Sequence, residues 1–302
     1  MKRIYVAGSI NMDLVIKTDT FPVKGMTVMG EGFMTNPGGK GANQAVAIAK
    51  MEGDVKMIGA VGDAFGEELI DTLKNYHVNT DLIKKCQDIS SGIAVIVISE
   101  NDNRIILDSG SNGLVSLEQI KEALAESKEG DYYLTQLEIP VNVVEESIKY
   151  AKSLGLITIL NPAPALKFNE EIFAYLDYFI PNQTECEFYT GINPKTQDEA
   201  IKAAKILIDK GVKNVIITLG TLGAISVNKD SYEYVKAYKV DAVDTTAAGD
   251  TFVGVTTSFL AKGYSIKEAL NYANLAASKT VQRPGAQQSI PYLKEIIEWE
   301  RK

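Results

Sequence analysis

The sequence predicts an α/β fold with a doubly wound, mostly parallel sheet, helices on both faces and a small β-sheet lid. Three observations predict it. From Ser116 onward, apolar runs of strand length alternate with helical patterns, and such alternation implies parallel strands covered by helices. About residues 12–36 and 91–107 carry short alternating runs broken by Gly and Pro, which read as a separate antiparallel excursion. Polar or glycine-rich clusters stand after nearly every strand, where ligands bind in sheets of this kind.

Taken in order, Ile4 to Gly8 reads as a buried first strand. Leu14-Val15-Ile16 and Thr27-Val28-Met29 belong to the excursion, punctuated by Pro22, Gly25, Gly30 and Gly32. Pro37-Gly38-Gly39-Lys40-Gly41-Ala42-Asn43-Gln44 opens an alanine-rich helix to about Lys50. Lys56 to Gly59 is a core strand and Phe65 to Tyr76 a helix. Ser91 to Ile98 and Arg104 to Leu107 form a hairpin around Asn101-Asp102-Asn103, residues that favour turns. Helix 116–125, strand 132–137, helix 141–154 and strand 157–160 follow. Strand 178–180, a short helix, helix 197–210 and strand 215–219 come next, then a hairpin near Asn228-Lys229-Asp230. Helices 249–262, 266–281 and 292–299 end the chain. No linker, internal repeat or low-complexity stretch interrupts residues 1–302, so one domain with an inserted lid is expected.

Composition narrows the function. A net charge of −8 disfavours nucleic acid or an acidic membrane surface as partner. No run reaches the roughly 20 apolar residues of a membrane helix, and the apolar N-terminal run is too short for a signal segment. Cys86 and Cys186 lie far apart and make neither a disulfide framework nor a metal motif, which points to a cytoplasmic protein with reduced thiols. The one histidine, His77, sits in a polar loop pattern, which speaks against histidine-based catalysis.

The chemistry centres on Val243-Asp244-Thr245-Thr246-Ala247-Ala248-Gly249-Asp250-Thr251-Phe252. Ala247-Ala248-Gly249 is a small-residue turn before a helical pattern of Phe252, Val255, Phe259 and Leu260, closed by Gly263. Free N–H groups at a helix start bind anions, and Asp250 stands beside them as a base for an alcohol proton. An aspartate there also favours the helix dipole with no catalytic role. Asn11, Asp13, Gly39, Lys40, Asn43 and Glu138 fall at other strand ends, as do Asn161, Asn182, Glu185 and the Thr218 to Gly223 loop. Such residues can read sugar hydroxyls through paired donors and acceptors. Asn182 to Glu185 also reads as a helix capping box. No dinucleotide-binding glycine motif follows the first strand, and Gly38-Gly39-Lys40-Gly41 lacks the Walker A pattern.

The segments Gly8 to Asp13, Gly38 to Ala45, Asn161 to Ala165, Pro181 to Glu185 and Asp244 to Phe252 closely resemble the ribokinase-like (phosphofructokinase-B) sugar kinases, in order and with compatible spacing. The resemblance implies transfer of phosphate from ATP to the 5-hydroxyl of D-ribose, giving ribose 5-phosphate and ADP. It makes Asp250 the base and Ala247, Ala248 and Gly249 the anion hole. Asn11, Asp13, Gly39, Lys40, Gly41, Asn43, Glu138 and Asp250 match sugar-binding positions. Asn182, Thr218, Gly220, Gly223, Gly249 and Asn274 match nucleotide-binding positions. Mg²⁺ is implied with ATP, organised by Asn182 and Glu185. An activating K⁺ is implied at Asp244, Thr246, Thr280, Arg283, Gly285 and Ser289. The resemblance also implies a homodimer through the lid sheet. Related kinases of 2-deoxyribose, fructose or a nucleoside stand as alternatives. So does a silent sugar-binding protein, whose expected mark is a lost base or anion hole.

Overall fold

In the computed structural model, which describes residues 1–99 and 102–300, the chain opens with β1 (Ile4–Ala7). Ile4 and Val6 enter one apolar core, Tyr5 and Ala7 the other, so β1 is covered on both faces. β2 (Asn11–Thr18) and β3 (Gly30–Gly38) leave the main sheet, and α1 (Lys40–Lys50) returns to it. β4 (Val55–Val61), α2 (Gly66–Asn75) and β5 (Asn79–Lys85) extend one side. β6 (Gly92–Ser99) and β7 (Asp102–Asp108) then rejoin β2 and β3. α3 (Leu117–Ala123), β8 (Tyr132–Thr135), α4 (Val141–Ser153), β9 (Ile157–Leu160), β10 (Tyr178–Phe179), α5 (Gln183–Thr190), α6 (Gln197–Asp209) and β11 (Asn214–Thr218) build the other side. The hairpin β12 (Ala224–Asn228) and β13 (Tyr232–Val235) forms its rim, and α7 (Ala248–Ala261), α8 (Ile266–Thr280) and α9 (Leu293–Glu300) complete the chain.

Among the described residues, the main sheet runs β13-β12-β11-β10-β9-β8-β1-β4-β5. Every pair from β11 to β5 is parallel, and β12 and β13 are antiparallel. β1 lies between β8 and β4, where the winding reverses, so its carboxyl end faces the expected ligand crevice. The small sheet runs β3-β2-β6-β7. Its two hairpin pairs are antiparallel, but β2 and β6 are parallel, which the expectation of a purely antiparallel excursion did not include.

Three local readings differ from the structure. Asp102 and Asn103 pair with Ser99 and Ile98, so they belong to the strand rather than to the expected turn; Asn101 lies outside the described residues. Thr27-Val28-Met29 is not a strand. β5 had no counterpart in the sequence reading.

α7 was read as carrying an apolar stripe. The structure buries every residue from Asp250 to Ala261, including Thr256, Thr257 and Ser258. α1 packs on one side of α7 and α8 on another, leaving it no solvent face. Gly254 permits the closest approach: a Cβ there would lie 2.6 Å from Ala47 Cβ and 2.7 Å from the Gln44 carbonyl oxygen. Gly263, with φ of +88°, ends the helix in the left-handed conformation expected of it.

Candidate active site

The turn before α7 holds Ala247 in the left-handed region at φ +59°. That conformation costs an alanine about 1–2 kcal/mol, and such strain gathers at functional sites. Thr251 N–H donates to Ala247 O at 2.8 Å, closing the first helical turn. The N–H groups of Gly249 and Asp250 have no acceptor among the described residues, as helix geometry dictates for the first turn. Gly249 has no positive φ, and a Cβ on it would meet nothing within 4 Å. Neither backbone nor packing requires that glycine. Its missing side chain leaves open the space over these N–H groups.

Asp250 is buried next to this opening, and both its oxygens are held. Asn43 Nδ2 donates to Oδ2 at 3.0 Å and Gln44 Nε2 donates to Oδ1 at 3.0 Å. Gln44 is itself oriented. Its Nε2 donates to Asn161 Oδ1 at 3.0 Å, and its Oε1 accepts from Gln136 Nε2 at 2.6 Å. Asn161 Nδ2 donates to the Ile180 carbonyl at 2.8 Å, which fixes its polarity in turn. The network delivers two N–H donors to one carboxylate and keeps its oxygens in place. Gln44 and Gln136 had no assigned role in the sequence. Two adjacent polar residues in an otherwise apolar alanine helix were the available signal for Gln44.

Lys40 begins α1. Burial would lower its ammonium, but Asp250, Glu138, Glu185 and Asp13 hold it above the ordinary lysine value. The carboxylates respond in kind. Burial, then Glu138 and Asp250, push Asp13 up to about 7, with Lys40 opposing. Burial pushes Glu185 up to about 6; the Asn182 N–H and Lys40 oppose it and Asp250 adds to it. Gly39 reaches this place at φ +89°, where a Cβ would stand 2.8 Å from both Asn11 N and Ser9 O. The glycine run therefore presses the start of α1 onto the end of β1.

Two cavities open here. One, of about 320 Å³, is lined by Asn11, Asn112, Leu107, Glu138 and their neighbours. The other, of about 220 Å³, is lined by Lys40, Asn161, Asn182, Glu185, Thr218, Ala247, Gly249 and Asp250. They are linked through Lys40, whose backbone N–H donates to Glu138 Oε2 at 3.3 Å; Ser9 Oγ donates to the same oxygen at 2.5 Å. Asn182 and Glu185 form the full capping box of α5 and also line the second cavity. Gly220, Gly223 and Asn274 line neither cavity. Asn274 Nδ2 donates to the Val235 and Lys236 carbonyls at 3.2 and 3.4 Å, and a Cβ on Gly223 would lie 2.0 Å from Val235 O. These residues fix the strand-end loop beside the cavity.

Behind the anion-hole turn, Asp244 ties two segments together. Its Oδ1 accepts from Thr246 N at 2.9 Å and Thr246 Oγ1 at 2.6 Å, and its Oδ2 accepts from Gly285 N at 2.8 Å. Val281 O accepts from Asp244 N at 3.1 Å, Thr280 O from Arg283 N at 3.1 Å, and Ser289 turns back on Ala286. The Arg283 guanidinium pairs instead with Glu295. This oxygen-rich donor set suits a hard monovalent cation. His77 is exposed at the end of α2, remote in role from this chemistry.

A family model described as pfkB family carbohydrate kinase matches residues 1–293. A ribokinase of Schizosaccharomyces pombe is 42% identical, with 98% of this chain and 97% of the relative covered. A deoxyribokinase of Salmonella typhi is 37% identical, with 98% of each covered. The crystal structure of a ribokinase from Thermotoga maritima superposes with a TM-score of 0.90 at 36% identity, covering 100% of both chains. The chain belongs to the pfkB family of carbohydrate kinases.

Proposed function

We propose that this chain is an ATP-dependent kinase of D-ribose, forming D-ribose 5-phosphate and ADP. One observation carries the reading: a carboxylate with both oxygens held by amide donors, at an open helix start that offers free N–H groups. The sugar occupies the first cavity, met by Asn11, Asp13, Gly39, Lys40, Gly41, Asn43 and Glu138. The nucleotide's phosphates occupy the second, met by Asn182, Thr218, Gly249 and Lys40, with Gly220, Gly223 and Asn274 shaping its margin. Asp250 takes the proton of the 5-hydroxyl as that oxygen bonds to the γ-phosphorus and the bond to the bridging oxygen of ADP breaks. The N–H groups of the Ala247-Ala248-Gly249 turn and the Lys40 ammonium stabilise the charge on the transferring group.

Asn182 and Glu185 would hold the shell of a Mg²⁺ ion bound with the nucleotide, which would neutralise phosphate charge there. K⁺ at the Asp244 cluster would order the anion-hole turn from behind; initial rates in potassium against sodium check this. The chain acts as one domain in the cytoplasm, with its small sheet as a lid that keeps water from the phosphoryl group.

2-Deoxyribose is the second reading, supported by the 37% identity of the deoxyribokinase. An ADP-release assay across pentoses, fructose and nucleosides separates them. The highest kcat/KM is expected on ribose; the highest value on another sugar would reassign the substrate, and no ADP release on any would end the kinase reading.

A further inference from the structure

Asn112 lies in the short turn after β7, is buried at 1% exposure and lines the same cavity as Asn11. Its Oδ1 accepts from the Ile10 N–H at 2.9 Å. Its Nδ2 donates to Asn11 Oδ1 at 2.7 Å and lies 3.4 Å from the Ile10 carbonyl oxygen. A backbone N–H only donates and a carbonyl only accepts. Turning the Asn112 amide over would therefore set donor against donor and acceptor against acceptor. The polarity of Asn112 is dictated by the main chain.

That polarity passes to Asn11. With its Oδ1 taken by Asn112, Asn11 has only Nδ2 left, and this nitrogen has no partner among the described residues. Asn11 lines the larger cavity. Asp13, two residues further along β2, is buried and has no hydrogen-bond partner among the described residues. Gly92, at the start of β6, makes room for the amide pair. A Cβ there would lie 2.1 Å from Asn112 Nδ2 and 2.2 Å from Asn11 Oδ1.

We propose that Asn112 is a positioning residue that locks the Asn11 amide with its N–H₂ toward the cavity, so that the wall there offers a donor of fixed polarity. A polyol hydroxyl accepts from that donor. A substrate lacking that hydroxyl leaves the buried amide unmatched, which is the strong form of discrimination. The proposal deepens the sugar-kinase reading and rests on it for the identity of the cavity's occupant.

The test is a cycle of Asn112→Ala, Asn11→Ala and the double variant. It is run on whichever sugar of the panel has the highest kcat/KM, with sugar Kd measured by calorimetry in parallel. Asn112→Ala is expected to raise sugar KM and Kd about 10-fold, with the KM for ATP unchanged. In the Asn11→Ala background it is expected to add nothing further. A wild-type sugar KM in Asn112→Ala, or its full effect persisting without Asn11, would overturn the proposal. Should Asn112→Ala fail to fold, Asn112→Asp keeps an acceptor for the Ile10 N–H and replaces the donor to Asn11 by an acceptor. It is expected to show the same rise, and a wild-type KM there would also overturn the proposal. A preference for a sugar other than ribose would remove the ribose assignment while leaving this coupling measurable.

Discussion

Two carboxylates near Lys40 differ in what surrounds them, and each difference has a measurable outcome. Asp250 receives an amide N–H on each oxygen. Asp250→Asn replaces one acceptor by an N–H₂ that faces a donor from Asn43 or Gln44, and it removes the proposed base. A fall in kcat of about 10²–10⁴-fold is expected, with sugar and ATP Kd values held within a few-fold. Near wild-type kcat would remove Asp250 as the base. Asp13 receives no hydrogen bond among the described residues, and burial with Glu138 and Asp250 raises it to about 7 from 3.8. A carboxyl raised in the folded state favours folding while protonated. That contribution is full below its unfolded value near 4 and is lost as pH rises through about 7. Without ligand, Asp13→Asn is therefore expected to be more stable than the parent at pH 8, by on the order of a few kcal/mol. The gap should close as pH falls toward 4, while the sugar KM rises. Equal Tm differences at pH 8 and pH 5 would remove burial of the charge as the cause. A binding group that costs stability when empty is the usual trade at such sites.

At the scale of elements, the site depends on how closely α1 and α7 approach, because Asn43 and Gln44 ride on one and Asp250 on the other. Gly254 sets that distance, with Ala47 Cβ 2.6 Å from where its Cβ would be. Gly254→Ala has no relaxed solution against a backbone carbonyl. About 1–3 kcal/mol of destabilisation is expected, equivalent to several degrees in Tm, together with a drop in kcat as the two amides shift off the carboxylate. An unchanged Tm and kcat would show that the helices have slack. Much of this was legible beforehand. The helix starting after Ala247-Ala248-Gly249, the glycine run before α1 and the polar strand ends all announce themselves locally, through turn chemistry and periodicity. What was not legible is what the chain brings together from afar. Gln136 reaches Gln44 across 92 residues and Asn112 reaches Asn11 across 101, and no local pattern records either contact. β5, Asn79-Thr-Asp-Leu-Ile-Lys-Lys, is half exposed at the sheet edge, so it needs no apolar alternation and showed none. The family resemblance puts Gly223 and Asn274 at nucleotide-binding positions; the structure also gives them a packing reason through Val235 and Lys236.

At the scale of the whole molecule, the small sheet poses a problem that one chain does not solve. β7 is exposed along its full length and forms an edge of that sheet, yet it reads Asp-Asn-Arg-Ile-Ile-Leu-Asp. Ile105, Ile106 and Leu107 are 52%, 69% and 51% exposed, and Phe33 on the opposite edge strand is 64% exposed. Long apolar edge strands invite pairing with another chain, and an apolar surface of this kind marks an interface. A second copy of the same sheet offers matching apolar surface in a symmetric arrangement, so a homodimer through the small sheets is the expected solution state. The same strand ends at the cavity, where Leu107 and Asp108 stand opposite Asn11 and Glu138. Covering the sheet would therefore also stiffen the wall of this cavity. Light scattering on the intact protein at micromolar concentration should give twice the single-chain mass. Ile106→Lys places a charge in the middle of the edge and should give the single-chain mass. Its sugar KM should rise several-fold while the Asp250 network, which lies in the main body, keeps kcat within a few-fold. A monomeric parent protein would remove the interface. A monomeric Ile106→Lys with unchanged sugar KM would instead separate dimerisation from the lid's hold on the sugar.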